Sequence, residues 1–299
     1  MKVDAEWRSG GAPPRLGCRH GPIAADPAVT DPLQPYGPLL GSSIRLVTWN
    51  VWGRYGPWER RQDVLASVLA DVAPDVVVLQ EAWSAGERDQ AAELGARLGL
   101  AHHRFDGDRE EDGARSGIAV ISRWPIGGTE LRALTGTHGR PGTVLRTDVE
   151  GPRGLIRVFG VILDWPPHYS HVRQQQVQEL AEYVRGFGRA ELGVVCGDFN
   201  APADADEIRM LTGRAAGCRV AWQDAWELAG DGGPGHTWSH RNPWAAPLLQ
   251  RDARIDYVFS VAIGPGGRGH PVAARLLGAT AGAGIVASDH YGVLAELRY

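Results

Sequence analysis

LGVVCGDFN, residues 192–200, is the stretch of sequence on which the fold prediction depends. A run of apolar and small residues ends abruptly at Asp198 and Asn200. A short apolar run that stops at turn-forming residues is typical of a buried β-strand followed by a turn. The segment therefore predicts a buried strand whose carboxyl end carries a carboxylate and an amide.

Polar groups stand at or beside other predicted strands in the same way. Asn50 ends VTWN, Glu81 ends VVVLQE, and Asp289 and His290 precede the final apolar strand. Asp256 lies within RIDYVF, although aspartate is depleted in strands. Each such residue alone is most often a turn residue or a helix cap. Together, converging carboxylates, amides and an imidazole indicate a hard-oxygen metal site with an acid/base partner.

Helical periodicity separates these strands. Apolar stripes predict helices over 57–74, 87–98 and 172–186. Some strands alternate in polarity and others are apolar throughout. This mixture favours an α/β fold in which helices cover sheets, and it disfavours a simple parallel doubly wound sheet.

The composition divides the chain into two parts. Residues 1–42 are rich in proline, glycine and small residues, and such a segment buries too little apolar surface to offset its ordering entropy. We expect residues 1–42 to form a tail and residues 43–299 to form the folded domain.

Charge and cysteine content limit the class of protein. The net charge is −4 and the isoelectric point is about 6.2, which weighs against a nonspecific nucleic-acid coat. Three cysteines without CxxC spacing predict neither a disulfide framework nor a zinc site. No apolar run approaches a membrane span and no signal peptide is evident. We therefore expect a cytoplasmic protein, with a monomer as the working assumption.

The order of the short motifs resembles a known superfamily. TWNVW (48–52), LQE (79–81), SGIAVISRWPI (116–126), GDFN (197–200), TWS (237–239), RIDYVF (254–259) and SDH (288–290) look like successive motifs of the endonuclease/exonuclease/phosphatase superfamily. The resemblance spans about residues 44–299. It implies a four-layer α/β (α+β) sandwich, in which two mixed β-sheets lie face to face with helices outside.

The resemblance also implies a metal centre and a substrate. Glu81 would be the principal ligand of Mg²⁺, with Mn²⁺ as an alternative; Asn50 would lie beside it and Asp289 next to the metal region. The partner would be a phosphate-ester substrate, with nucleic acid, phospholipid and small organic phosphates all left open. Magnesium suits such a sparse carboxylate site because it retains several of its own waters.

The remaining motif residues would carry the catalysis. By resemblance, Asp198 orients or deprotonates the attacking water and Asn200 holds that water and a phosphate oxygen. Asp256 pairs with the imidazole of His290, which contacts the phosphoryl group. Trp238 is equally open as a substrate contact or a packed aromatic residue.

One position departs from the family pattern. The strand VIL (161–163) has Ile162 where relatives usually carry a histidine that holds phosphoryl oxygens. We expect a working phosphoesterase in which Arg146, His168 or the substrate itself replaces that donor. The alternative is an impaired family member that binds without cleaving and acts as a binding or scaffold protein.

Overall fold

Strands dominate the computed structural model, which describes residues 33–136, 141–188, 190–279 and 284–299. The helices within this part of the chain are α1 (Trp58–Val72), α2 (Gln90–Leu98), α3 (Ser170–Gly186), α4 (Asp206–Leu211) and α5 (Ala225–Ala229). The strands are β1 (Ser43–Asn50), β2 (Val76–Ala85), β3 (Arg88–Asp89), β4 (His102–Arg109), β5 (Arg115–Ser122), β6 (Ile126–Ala133), β7 (Thr143–Gly151), β8 (Gly154–Ile162), β9 (Leu192–Asp198), β10 (Gln223–Asp224), β11 (Asp256–Ser260), β12 (Pro271–Leu277) and β13 (Gly292–Arg298).

The strands form two mixed sheets. Sheet A has the order β12-β13-β1-β2-β5-β4. The short strand β3 also belongs to this sheet and pairs with β2. Sheet B has the order β10-β11-β9-β8-β7-β6. In each sheet one central pair is parallel, β1 with β2 and β8 with β9, and the other pairs are antiparallel.

The main core lies between the facing sides of the two sheets. Val78 and Ile118 of sheet A belong to the same buried cluster as Val158, Cys196 and Val258 of sheet B. Burial of apolar surface on this scale is the dominant favourable contribution to folding. The two sheets are therefore held face to face.

Helices cover the outer faces of both sheets. On sheet A, Leu65 and Leu69 of α1 pack with Val77. On sheet B, Val177 and Leu180 of α3 lie in one cluster with apolar residues of β8 and β9. The layers thus run helix, sheet, sheet, helix, which confirms the predicted four-layer sandwich.

The described end of the predicted tail lies along the domain. The backbone N of Leu40 donates to the carbonyl of Gly266, and the N of Gly266 donates to the carbonyl of Tyr36. The N of Tyr299 donates to Ser42 O over 2.9 Å. Residues 1–32 lie outside the described residues, and the boundary after residue 42 stays a prediction. No helix among the described residues is both long and apolar enough to cross a membrane.

Candidate functional site

Four strands bring polar side chains together at one rim of the sandwich. Asn50 ends β1 and Glu81 lies in β2, while Asp198 ends β9 and Asp256 begins β11. The buried Nδ2 of Asn50 donates to Glu81 Oε1 and to Asp198 Oδ2, each over 3.0 Å. Because Glu81 belongs to sheet A and Asp198 to sheet B, this amide connects the two sheets at the candidate site.

Asp198 and Asp256 lie side by side across the ladder of β9 and β11. Asp198 is 2% exposed, and its Oδ1 accepts a hydrogen bond from the backbone N of Asn200 over 2.9 Å. Burial, together with the negative charge of Asp256, raises the pKa of the Asp198 carboxyl to about 7. A carboxylate with a pKa near neutrality can accept a proton under physiological conditions.

His290 completes this group. Its Nδ1 lies 2.9 Å from Asp256 Oδ2, and its Nε2 lies 3.9 Å from Asp198 Oδ2. Burial alone would lower the pKa of His290, but the charges of Asp256 and Asp198 raise this pKa well above its ordinary value. The Trp238 ring stands edge-on to the imidazole, with 5.0 Å between ring centroids. The two carboxylates thus favour the charged imidazole, and the contacts with Asp256 and Trp238 fix its orientation.

The ligand atoms of Asp198, Asp256 and His290 all lie within 4.8 Å of one another, so these three residues form one possible cation site. The buried Oδ1 of Asp256 has no hydrogen-bond partner within the described part of the chain. However, the hydrogen bond between His290 and Asp256 brings these two side chains together without a metal. The predicted ligands Asn50, Glu81 and Asp289 form a second candidate set.

The second set has the donor chemistry of a hard cation. Glu81 uses Oε1 to accept from Asn50, whereas its Oε2 accepts no hydrogen bond within the described residues. Asp289 is 6% exposed, and Ser288 Oγ donates to its Oδ1 over 3.1 Å. Burial raises the pKa of Asp289 to about 6, and the charge of Glu81 adds to this effect. Two mutually repelling carboxylates fit a divalent cation. The amide oxygen of Asn50 accepts from the backbone N of Trp52 over 3.0 Å, and its Nδ2 faces Glu81.

Three of the six non-glycine residues with positive φ in the described part of the chain lie at the same rim. Trp52, Glu81 and Asn200 have φ angles of 55°, 53° and 50°, in the left-handed region that non-glycine residues seldom adopt. Glu81 also lies at a register shift between β2 and β5. A bulge of this kind redirects a side chain out of the regular pleat. Strained backbone persists only where the surrounding structure enforces it, and it is found most often at functional sites.

Sequence reasoning missed two buried residues that support the rim. Arg61, in the first turns of α1, is 2% exposed, and all its hydrogen bonds go to main-chain carbonyls. Asn242 Nδ2 donates to the carbonyls of Ser288 and Asp289, each over 2.8 Å. Arg61 lies one helical turn before Leu65 on the buried stripe of α1, and a charged residue on an apolar stripe is a signal that the sequence does contain. Asn242 gives no comparable signal.

Arg146 is a correction to the prediction. The structure places it in β7 opposite Phe159, on the outer face of sheet B that α3 covers. Its Nη1 lies 2.6 Å from Asp148 Oδ2, and its guanidinium stacks over the Phe187 ring. Ile162 faces the inter-sheet core on the opposite side of β8. Arg146 is therefore not brought to the cluster and does not replace a donor at Ile162.

The other predicted substrate-side residues lie around the cluster. Ile162 pairs with Asp198 in the ladder and is only partly buried, so the apolar side chain stands directly beside the carboxylate. Asn200 Nδ2 donates to Leu163 O over 3.0 Å, which ties Asn200 to the end of the same segment. His168 is exposed in the loop that follows β8, and its ring contacts Tyr169.

Comparisons with known proteins agree with this architecture. The model of the endonuclease/exonuclease/phosphatase family matches residues 47–290. An endonuclease/exonuclease/phosphatase structure from Beutenbergia cavernae is 23% identical with a TM-score of 0.66, covering 86% of this chain and 71% of that one. TDP2 from D. rerio, solved with a single-strand DNA product, is 20% identical with a TM-score of 0.71, covering 86% and 100%. Truncated TDP2 from Caenorhabditis elegans is 18% identical with a TM-score of 0.69, covering 87% and 100%. A search of curated proteins found no match.

Proposed function

Because the chain belongs to the endonuclease/exonuclease/phosphatase family, whose members generally hydrolyse phosphoester bonds, we propose that it is a divalent-metal-dependent phosphoesterase. The reaction would be cleavage of a phosphodiester or phosphomonoester by in-line attack of water. The observation that carries this proposal is the buried Asp198–Asp256–His290 group joined through Asn50 to Glu81.

In this mechanism Asp198 is the residue that activates water. Its pKa of about 7 lets it hold a water proton at neutral pH, and efficient general bases have a pKa near the working pH. Asn200, whose backbone N binds Asp198 Oδ1, keeps the carboxylate oriented and would hold the attacking water.

His290 has the complementary role. The imidazolium would donate a hydrogen bond to a phosphoryl oxygen through Nε2, because Nδ1 is occupied by Asp256. The Asp256 carboxylate stabilises the charged form and fixes the ring. A preorganised donor aimed at developing negative charge is worth about 3 kcal/mol of barrier.

Asn50, Glu81 and Asp289 would hold Mg²⁺ or Mn²⁺, which when bound neutralises the phosphate charge and that of the leaving oxygen. The carboxylates of Glu81 and Asp289 supply the negative charge for binding. The amide of Asn50 keeps Glu81 and Asp198 in fixed relation, so the metal side and the water side stay aligned.

Substrate class is the open part of this proposal. The single-strand DNA product in the D. rerio TDP2 structure makes a DNA end one candidate, whereas the net charge of −4 counts against tight nonspecific binding. Ile162 supports the competing hypothesis of a protein that retains the fold and binds without cleaving.

One assay separates the two hypotheses. Purified protein with Mg²⁺ or Mn²⁺ is tested on bis-p-nitrophenyl phosphate, single-stranded DNA and phospholipid. Turnover that disappears in Asp198→Ala and Glu81→Ala supports the enzyme. Absence of turnover on every substrate, together with absence of metal binding in calorimetry, supports the binding protein.

A further inference from the structure

A buried guanidinium joins two chain segments behind the candidate metal site. Arg61 donates to five carbonyl oxygens, with distances between 2.8 and 3.2 Å. The acceptors are Val51, Trp52, Gly53, Tyr55 and Ala287. No carboxylate lies within ion-pair distance of Arg61 in the described part of the chain. The carbonyl dipoles thus solvate the cation in place of water.

The two segments are those that carry candidate ligands. Residues 51–55 follow Asn50 directly, and Ala287 precedes Asp289 by two residues. Ser288 Oγ donates to Asn50 O over 2.7 Å, so the segments also touch at the ligand residues themselves. The charges of Asp289 and Glu81 both act on the Arg61 guanidinium. Arg61 thus connects the Asn50 and Asp289 segments while its charge offsets those of Glu81 and Asp289.

A second buried arginine provides a comparison within the molecule. Arg173 occupies the first turn of α3, as Arg61 does in α1, and donates to the carbonyls of Asp164 and Pro166 over 3.0 and 2.8 Å. Unlike Arg61, it also pairs with a buried carboxylate, Glu207, over 2.8 Å. The loop that Arg173 holds follows Ile162 and carries none of the candidate metal ligands. The two arginines are alike in burial and in local role but differ in which loop they hold.

We infer that Arg61 is a positioning residue for the metal side of the site, holding the Asn50 and Asp289 segments in one arrangement before a cation binds. This inference rests on the proposed metal-dependent function. Burying a cation without an ion-pair partner is unfavourable. We attribute the buried position of Arg61 to its role in ordering the two loops. Residues that orient metal ligands without touching the metal typically change affinity by about 10- to 100-fold when replaced.

The test compares Arg61→Gln with Arg173→Gln. Mn²⁺ binding to the substrate-free protein is measured by titration calorimetry, and folding is checked by thermal unfolding and circular dichroism. We expect Arg61→Gln to weaken Mn²⁺ binding by about 10- to 100-fold, with turnover recovering at saturating Mn²⁺. Arg173→Gln should bind Mn²⁺ like the wild-type protein even if its unfolding temperature falls as far.

Each other outcome has a defined meaning. Unchanged Mn²⁺ affinity in Arg61→Gln, or an equal loss in Arg173→Gln, would overturn the inference. Wild-type protein that binds no Mn²⁺ would instead overturn the proposed function. Should Arg61→Gln fail to fold, Arg61→Lys keeps the charge but not the planar fork of donors, and the same comparison applies to it.

Discussion

The Nδ1 atom of His290 lies 2.9 Å from Oδ2 of Asp256, and both side chains are buried. The backbone N of Asp256 donates to Thr237 Oγ1, which keeps the carboxylate in place. A histidine whose second ring nitrogen is held by a carboxylate has a fixed tautomer and orientation. The pair therefore defines which imidazole nitrogen can face a substrate.

Asp256→Asn tests that pair. We expect kcat to fall by about 100-fold or more, because the neutral amide no longer stabilises the imidazolium. The pKa of His290, followed by NMR titration, should fall at the same time, since the charge and hydrogen bond of Asp256 both raise it. The exposed Asp206→Asn serves as control. An unchanged His290 pKa in Asp256→Asn would contradict the assignment.

Asp198 should make the metal-free protein less stable as the pH rises. Its pKa is raised from an ordinary 3.8 to about 7 in the folded protein, so the native state binds this proton more tightly than the unfolded chain. Ionisation of Asp198 therefore costs stability as the pH rises from about 4 through about 7. Measured in EDTA, the Tm of Asp198→Asn should rise relative to the Tm of wild type by about 3 °C or more between about pH 4 and pH 8. A difference independent of pH would show that Asp198 is not destabilised by ionising.

Glu81 should be required for stabilisation by metal. At a Mn²⁺ concentration of about 100 times Kd, binding adds about 2.7 kcal/mol to the free energy of unfolding. We expect wild-type Tm to rise with Mn²⁺ and to return to its starting value on addition of EDTA. Glu81→Gln should lose this response, whereas Glu296→Gln, which removes a carboxylate paired with Arg45 outside the site, should keep it. An undiminished response in Glu81→Gln would assign the ion to another group.

Ile162→His introduces beside Asp198 the histidine that the resemblance to the family leads us to expect there. The new imidazole would lie on the same face of sheet B as Asp198, and we expect activity on bis-p-nitrophenyl phosphate to increase about tenfold. Tm should fall modestly because Ile162 packs against the inter-sheet core. Ile162→Val, which changes volume without adding a donor, controls for packing. A loss of activity in Ile162→His would mean that the pocket is adapted to an apolar group.

The central strands were predictable from sequence, and the outer strands were not. β1, β2, β9 and β13 are buried on both sides, so their apolar runs are unambiguous. The sequence prediction missed β4, β6 and β12, each of which lies at the edge of a sheet. Edge strands carry polar residues on exposed faces, and β12 begins at Pro271, which an edge strand tolerates. Their identity depends on neighbours that local periodicity does not reveal.

The candidate site divides in a similar way. Residues at the ends of buried strands, such as Asn50 and Asp198, were identifiable because their polarity interrupts an apolar run. The prediction for Arg146 was wrong because the sequence does not show which face of its strand the side chain occupies, and only the sheet register places it on the side of α3. Arg254, the first residue of the RIDYVF motif, pairs with the buried Asp224 over 2.6 Å, a contact that the sequence does not reveal.

The amide of Asn50 has a consequence for how the chain tolerates change. The amide donates to a carboxylate of each sheet, so both hydrogen bonds form only when the two sheets are at the right distance from each other. A substitution deep in the interior, for example at Cys196 or Val78, alters that spacing without touching any reacting atom. Under the proposed function, turnover should therefore fall in response to interior packing defects that are too small to unfold the protein.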